Sequence, residues 1–107
     1  MNPSMLKGHL DSLLLAVLET GPLHGYGVVE RLRGHSGGAV DLPSGTIYPA
    51  LHRLERLGLV ASDWSVHQGR RRRSYSLTAA GHRALAQRRA EWRGFARVMD
   101  SVIGGTA

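Results

Sequence analysis

The spacing of apolar residues changes twice along this chain, and these changes limit the folds that it can adopt. Up to residue 57, apolar side chains recur every three or four positions, which is typical of helices. Between residues 60 and 77 the spacing falls to two, which is typical of strands, and after Thr78 the helical spacing returns. A chain of 107 residues has room for one small core. We therefore predict a mainly α fold with a small β-hairpin.

Two helices are predicted before residue 36. The first has one apolar stripe and ends at the Gly- and Pro-containing segment "TGPLHG". Its stripe consists of Leu10, Leu13, Leu14, Val17 and Leu18. The second begins near Gly25 and runs to Arg33 or His35, with Tyr26, Val29 and Leu32 directed inward.

A third helix is predicted from Ser44 to Leu57. Ser44 or Thr46 can cap its first turn, Pro49 favours a start near Thr46, and Gly58 ends it. The predicted buried face comprises Ile47, Ala50, Leu51, Leu54 and Leu57. The opposite face carries hydroxyl, imidazole and guanidinium groups, on Thr46, Tyr48, Pro49, His52, Arg53 and Arg56.

A hairpin and a long helix complete the predicted order of elements. Val60, Ser62, Trp64 and Val66 share one face of the first strand, and Tyr75 and Leu77 alternate with serines in the second. The basic segment "HQGRRRR" lies at the tip between them. Thr78 then caps a last helix of about 25 residues. This organisation divides the chain into residues 1–78 and residues 79–107.

Enzymatic function is not expected, although "GHSGG" at residues 34–38 matches the nucleophile elbow of serine hydrolases. The elbow requires a buried strand before the serine, whereas Ser36 follows a helical pattern and is predicted to lie in a loop. The absence of cysteine excludes a thiol nucleophile. The histidines lack the spacing of metal ligands, and paired carboxylates and phosphate-binding loops are also missing. We predict neither a metal nor a cofactor.

The charge of the chain favours an anionic partner such as nucleic acid or a lipid surface. The net charge is +6, and Lys7 is the one lysine among 14 basic residues. Arginine binds phosphate and guanine edges through two hydrogen bonds, although a GC-rich genome also explains its abundance. The apolar runs are too short to span a bilayer. We therefore expect a cytoplasmic protein without a membrane segment.

Three small helices followed by a basic hairpin is the order of a winged helix-turn-helix. The outer face of the third helix can enter a major groove, where base edges offer hydrogen bonds. The hairpin would then place Arg70, Arg71, Arg72 and Arg73 along phosphates or the minor groove. A solvated charged turn is the alternative for the arginines. Tyr48 either contacts DNA or packs against the wing.

Three segments of the chain resemble the PadR family of bacterial transcriptional regulators. These are "PLHGYGVVERL", "LPSGTIYPALHRLERLGLV" and "GRRRRSYSLTAAG", in the order and spacing of that family. The resemblance covers residues 9 to 90 and implies a homodimeric, usually repressing, DNA-binding protein. It also implies a C-terminal dimerisation helix, of the short kind in this chain. It assigns DNA contacts to Tyr26, Ser44, Thr46, Tyr48 and Arg71–Arg73.

The last helix has an apolar seam that a domain of this size is not expected to bury alone. The seam residues are Leu85, Trp92, Phe95, Met99 and Val102. We predict that they meet a second copy of the chain, with packing on the first helix as the alternative. The resemblance implies that a planar aromatic ligand can bind between subunits, here at Trp92 and Phe95. A dry interface is the alternative to that pocket.

The leading functional hypothesis is a sequence-specific repressor that binds a palindromic operator as a homodimer. Two other functions remain open for the same fold. One is nonspecific binding to the nucleoid or RNA, and the other is an adaptor that no longer contacts DNA. Base-edge donors on Tyr48, His52 and Arg53 favour sequence-specific binding, and the four adjacent arginines argue against an adaptor.

Overall fold

The structure, a computed structural model, describes Leu6 and residues 8–104. The described residues form the helices α1 Leu10–Val17, α2 Gly25–His35, α3 Ser44–Arg56 and α4 Ala79–Ile103, and the strands β1 Leu23–His24, β2 Val60–His67 and β3 Arg70–Leu77. The mainly α fold with a small hairpin is confirmed. The two ends of the predicted organisation, at residues 1 and 107, lie outside the described residues.

The core lies between α1, α2 and α3 and is closed by the base of the sheet. The apolar stripes predicted from the sequence provide the side chains of this core, because residues three and four apart share one side of a helix. Its largest fully buried side chains are Tyr75, Leu14, Leu15, Leu18, Ile47, Leu51, Leu54, Val28 and Val60. Burial of these side chains provides the main favourable term for folding. The outer face of α3 is thereby left for other contacts.

The sheet has three antiparallel strands in the order β1-β3-β2. The hairpin turns through Gln68 and Gly69, which both have positive φ, 52° and 77°. Two such residues give the type I′ turn that matches the twist of paired strands. β1 was not predicted, because two residues are too short to show a period. It is held by pairing of Leu23 with Tyr75 and of His24 with Ser74.

The prediction that Tyr26 points inward is wrong, since this side chain is 55% exposed. The buried stripe of α2 consists of Gly25, Val28, Val29 and Leu32. Gly25 is buried because the Tyr48 ring of α3 occupies the space beside it, where a Cβ atom would overlap the ring. A glycine has no apolar side chain to add to the pattern, so the sequence pattern assigned the buried position to the neighbouring Tyr26.

Two details of α3 also differ from the prediction. Pro43 is the N-cap residue and its carbonyl accepts from Ile47 N at 3.2 Å, so neither Ser44 nor Thr46 caps the helix. Pro49 consequently lies inside the helix rather than in its first turn. Leu57, predicted to be buried, is 62% exposed because the helix ends at Arg56. Gly58 then reverses the chain with a φ of 77°, as predicted.

The start of α4 is fixed to the body of the protein by Thr78. Its Oγ1 accepts from Gly81 N at 3.0 Å, which confirms the predicted cap, and donates to the Gly58 carbonyl at 2.7 Å. Gly81 lies so close to Leu59 that a Cβ atom would overlap the Leu59 carbonyl oxygen. One turn further on, Leu85 is only 4% exposed and belongs to the core. Leu85 is therefore not available to the predicted seam between subunits.

Candidate nucleic-acid interface

The outer face of α3 carries the side chains that the sequence assigned to it. Exposed residues on this face are Thr46, Pro49, His52, Arg53 and Arg56, and Tyr48 is partly buried. Their spacing follows from burial of Ile47, Ala50, Leu51 and Leu54 on the other side. Ser44 is also exposed, at the first position of the helix. Hydroxyl, imidazole and guanidinium groups thus follow one another along a solvent-facing helix.

Tyr48 packs against the start of α2 rather than against the tip of the wing. Its ring covers Gly25, and its centroid lies 6.4 Å from that of His52 on the next turn. This contact joins the two helices of the helix-turn-helix. Tyr48 therefore has a packing role, and the same side chain lines a surface cleft.

Two shallow clefts share Tyr26 and are together lined by five of the predicted residues, Tyr26, Ser44, Tyr48, Arg72 and Arg73. The first has a volume of about 300 Å³ and is lined by His24, Gly25, Tyr26, Tyr48, Arg72 and Arg73. The second has a volume of about 470 Å³ and extends from Tyr26 to Ser44 through Val29, Arg33, Asp41, Leu42 and Pro43. Tyr26, Ser44, Tyr48 and the wing are thus continuous, as the sequence predicts for a contact surface.

The wing arginines lie on two faces of the hairpin, because successive residues of a strand point to opposite sides. Arg71 and Arg73 share a face with Trp64, which pairs with Arg73 across the strands. The Arg71 and Arg73 guanidinium carbons lie 4.8 Å and 5.5 Å from the centroid of the Trp64 ring. Cation–π contacts thus hold both arginines against a tryptophan that is 53% exposed.

Arg73 also connects the wing to α3. Its Nε donates to Ser62 Oγ at 2.9 Å, and its Nη2 lies 3.8 Å from Glu55 Oε2. Ser62 Oγ in turn donates to the Glu55 carboxylate. Arg73 is therefore partly neutralised, whereas Arg70 and Arg71 are exposed and form no ion pair with an acidic side chain among the described residues.

Two residues predicted to contact bases already have partners within the chain. Arg53 forms an ion pair with Asp11 of α1. His52 Nε2 lies 3.2 Å from the Tyr75 hydroxyl, and burial raises the pKa of Tyr75 above its ordinary value. These contacts orient α3 on the core. Thr46, Tyr48 and Nδ1 of His52 are further polar groups on the outer face of α3.

His24 and His67 lie beside Arg72 on one face of the wing, and Trp64 lies on the other face, although the sequence analysis selected none of them. Arg72 Nη1 lies 3.0 Å from His24 Nε2, and the His24 and His67 rings stack with centroids 6.4 Å apart. His24 lies within "PLHGYGVVERL", so that motif contained the signal. His67 and Trp64 belong to a strand whose weak pattern gave no sign of their neighbours.

The second half of α4 exposes the other predicted set of residues. Trp92 and Phe95 are each 54% exposed, and their rings lie 5.8 Å apart. His9, just before α1, meets the Trp92 ring edge-on at 5.8 Å. Met99 and Val102 are also exposed, and the structure adds Val98 and Ile103 to this surface. We call these six residues, Trp92, Phe95, Val98, Met99, Val102 and Ile103, the α4 seam.

Hydrogen bonds to α1 and to the turn that follows it fix the middle of α4 just before the seam begins. Arg89 donates from both terminal nitrogens to Glu19, at 3.0 Å and 3.1 Å, and these bonds hold the pKa of Glu19 below its ordinary value. Arg88 Nη1 donates to Ser12 Oγ at 3.2 Å. These bonds hold Arg88 and Arg89 of α4 against α1 and the turn that follows it.

Ser36 stabilises the end of α2 and the loop that follows it. It is the C-cap residue of α2, its Oγ donates to the Leu32 carbonyl at 2.7 Å, and it accepts from Val40 N at 2.8 Å. A hydroxyl in these two bonds is not placed as a nucleophile. Among the described residues, acidic, histidine and cysteine side chains form no cluster suited to a metal ion. None of the described helices combines the length and hydropathy needed to cross a bilayer.

Helices α1 to α3, the hairpin and the following long helix define a winged helix-turn-helix protein. Residues 14–87 match the transcriptional regulator PadR-like family. The transcriptional regulator Rv3488 of Mycobacterium tuberculosis is 40% identical over 83 residues, which cover 78% of this chain and 72% of that protein. The chain belongs to the PadR-like family of transcriptional regulators. Members of this family regulate transcription, which agrees with the expectation that the chain is not an enzyme.

Solved structures show the same fold. A PadR family regulator from Clostridium difficile R20291 is 32% identical, with a TM-score of 0.78 over 88% of this chain and 97% of that one. Bacillus subtilis PadR, solved in complex with operator DNA, is 23% identical, with a TM-score of 0.68 over 75% of this chain and 46% of that one. The second likeness concerns the fold alone.

Proposed function

We propose that two copies of this chain bind a palindromic operator and repress transcription. The observation that carries the proposal is the cleft at Tyr26, because it joins Tyr48 of α3 to Arg72 and Arg73 of the wing. Base edges in a major groove and phosphates beside it present the complementary groups. The Bacillus subtilis relative, whose structure contains operator DNA, supports the same use of the fold. Such a regulator acts where the chromosome is, in the cytoplasm.

Within this proposal the residues have different roles. Thr46, Tyr48 and His52 contact bases or nearby phosphates, together with Tyr26 and Ser44 at the edge of α3. Arg70, Arg71, Arg72 and Arg73 contact the backbone of DNA. Arg53 has the weakest support, since Asp11 already binds its guanidinium group.

The proposed dimer uses the α4 seam. Six large apolar side chains in a row exceed what a small monomer commonly leaves in water. A two-fold axis through the seam would pack the same surface of each copy against the other and set two wings on one DNA. Residues 79–107 then act as the dimerisation segment of the chain.

Selection of duplexes from a random pool tests the proposal and its rivals. We expect the chain to enrich one palindromic sequence and to bind it at least about a thousandfold more tightly than a scrambled duplex at the same salt concentration. Equal affinity for both duplexes would identify a nonspecific DNA-binding protein. Failure to bind any duplex would favour the adaptor.

A planar aromatic compound at Trp92 and Phe95 is the proposed inducer. Both rings are half exposed, and Arg93 is an exposed cation near them, whereas Arg88 and Arg89 are already bonded to Ser12 and Glu19. The compound must favour the DNA-incompetent arrangement of the dimer in order to induce. Its saturable quenching of Trp92 fluorescence in a Trp64→Phe background tests this, and Trp92→Ala should remove the affinity. A dry seam would show no saturable quenching.

A further inference from the structure

His24, Arg72 and His67 form a cluster on the side of the wing that does not contain Trp64. His24 comes from β1, Arg72 from β3 and His67 from the end of β2. Arg72 Nη1 lies 3.0 Å from His24 Nε2, and the two imidazole rings stack at 6.4 Å. His24 and Arg72 also line the cleft of about 300 Å³ beside Tyr26 and Tyr48. The cluster is thus basic and opens onto the proposed DNA surface.

The contact between Arg72 and His24 requires a neutral imidazole. A guanidinium group has only donors, so His24 Nε2 must accept and the ring proton must be on Nδ1. A protonated His24 has no acceptor and would repel Arg72. Burial, followed by the charges of Arg72 and His67, lowers the pKa of His24 below its ordinary value of 6.5. In the absence of DNA, the contact with Arg72 therefore excludes a second ring proton, on Nε2 of His24.

The groups around His24 come from every element that packs beside it. Arg72 and His67 oppose a proton on His24, and Glu30 of α2 favours it. The cleft adds the phenol groups of Tyr26 and Tyr48 and the guanidinium group of Arg73. One carboxylate thus faces two guanidinium groups. An additional anion in the cleft would favour a proton on His24.

We propose that this cleft binds a backbone phosphate of DNA, and that Arg72 exchanges His24 for the phosphate while His24 takes up one proton. The proposal rests on the proposed function, because the phosphate belongs to bound duplex DNA. Arg72 and protonated His24 then donate to the same phosphate oxygens. The proton comes from solvent, and binding of the dimer takes up at most one proton per subunit through His24.

The direction of the pH effect follows from the two pKa values of His24. The phosphate raises the pKa of His24 in the complex above that in the unbound chain, so binding takes up protons. Affinity is therefore highest below the pKa of the unbound chain, and it falls as pH rises through the pKa of the complex. The largest slope is about tenfold in affinity per pH unit for each subunit.

Fluorescence anisotropy with the selected duplex, between about pH 6 and about pH 8 at constant ionic strength, measures this slope. We expect the wild-type chain to bind more tightly at the lower pH. His24→Gln keeps an acceptor for Arg72 without a titrating group, so the slope should fall by up to about one per subunit. His35→Gln is the matched control, since it removes a histidine from the far end of α2 and should leave the slope unchanged.

A second measurement covers the case in which His24→Gln does not fold. NMR titration of the wild-type histidine ring protons should give His24 a higher pKa with DNA than without it, and His35 the same pKa in both states. Equal pKa values of His24 in both states, or equal slopes for folded His24→Gln and wild type, would overturn this inference and leave the proposed function standing. Absence of DNA binding at every pH would overturn both.

Discussion

The wing and the end of α4 both project from the core, but they expose opposite chemistry. The longest dimension of the described chain is 57 Å, against 28 Å and 20 Å for the others. The wing ends in exposed Arg70 and Arg71, whereas α4 ends in exposed Val98, Val102 and Ile103. Neither projection buries much of its own surface.

This difference indicates which kind of partner each projection can bind. An arginine-rich hairpin is stable in water and gains from a polyanion, with a strong dependence on salt. An apolar helix end gains by losing contact with water, which a second apolar surface provides with little dependence on salt. The two surfaces should therefore respond to different substitutions and different conditions. The predictions below test the two surfaces separately, together with positions that lie outside them.

Phe95→Glu should have the largest effect, because the two-fold axis introduces two buried charges into the seam. We expect the dissociation constant of the dimer to rise by at least about a thousandfold, equivalent to about 4 kcal/mol. The chain itself should remain folded, since Phe95 is 54% exposed in the single chain. Sedimentation equilibrium measures the change.

Ala90→Glu is the matched control for this substitution. It adds the same charge to an exposed position on the opposite side of α4. Its dimer should be as stable as the wild type. Equal weakening by both substitutions would mean that added charge, rather than the seam, controls association.

Gly81→Ala tests the anchored half of α4 and should have the next largest effect. A Cβ atom at this position would overlap the Leu59 carbonyl oxygen, so α4 or β2 must shift. We expect the free energy of unfolding to fall by about 2–3 kcal/mol in urea denaturation. Gly94→Ala in the projecting half meets only Arg97 Nη2 at 3.9 Å, and it should stabilise the helix by about 0.5–1 kcal/mol. Equal effects of the two substitutions would contradict the division of α4 into an anchored and a projecting half.

Arg71→Gln should affect the wing alone. Loss of one phosphate contact in each subunit lowers the slope of log affinity against log salt by up to about 1.8 for the dimer. Arg97→Gln removes the same charge from the projecting end of α4 and should leave this slope unchanged. An unchanged slope for Arg71→Gln would show that this side of the wing does not face DNA.

Ser36→Ala lies outside both surfaces and should have the smallest effect. It removes the hydroxyl that accepts from Val40 N and donates to the Leu32 carbonyl. We expect a loss of about 1 kcal/mol in thermal denaturation and no change in DNA affinity or dimerisation. A change in DNA affinity would assign the loop after α2 to the interface.

The sequence predicted the order of the elements because their periods are long and interrupted by Gly and Pro. It also predicted the exposed outer face of α3, but it placed the four arginines at the tip of the hairpin, whereas they lie within β3 and Arg72 is partly buried. It failed at positions whose burial depends on a residue from another part of the chain. Gly25 is buried under Tyr48, and Leu85 is buried in the core although it continues the pattern of the seam.

The contacts of the candidate site were the least predictable part. Asp11 and Arg53 are 42 residues apart, and His24 and Arg72 are 48 residues apart. Local sequence patterns do not reveal contacts between residues so far apart in the chain. The same holds for Trp64, whose contacts with Arg71 and Arg73 depend on the register of the hairpin.

The central claim is that the seam joins two chains so that two wings bind one duplex. Insertion of about five base pairs between the half-sites of the selected operator rotates one half-site to the opposite side of the DNA. The account predicts that the wild-type affinity then falls to that of a duplex with one half-site, while Phe95→Glu binds both duplexes equally weakly. Unchanged affinity of the wild-type chain for the lengthened operator would contradict the account.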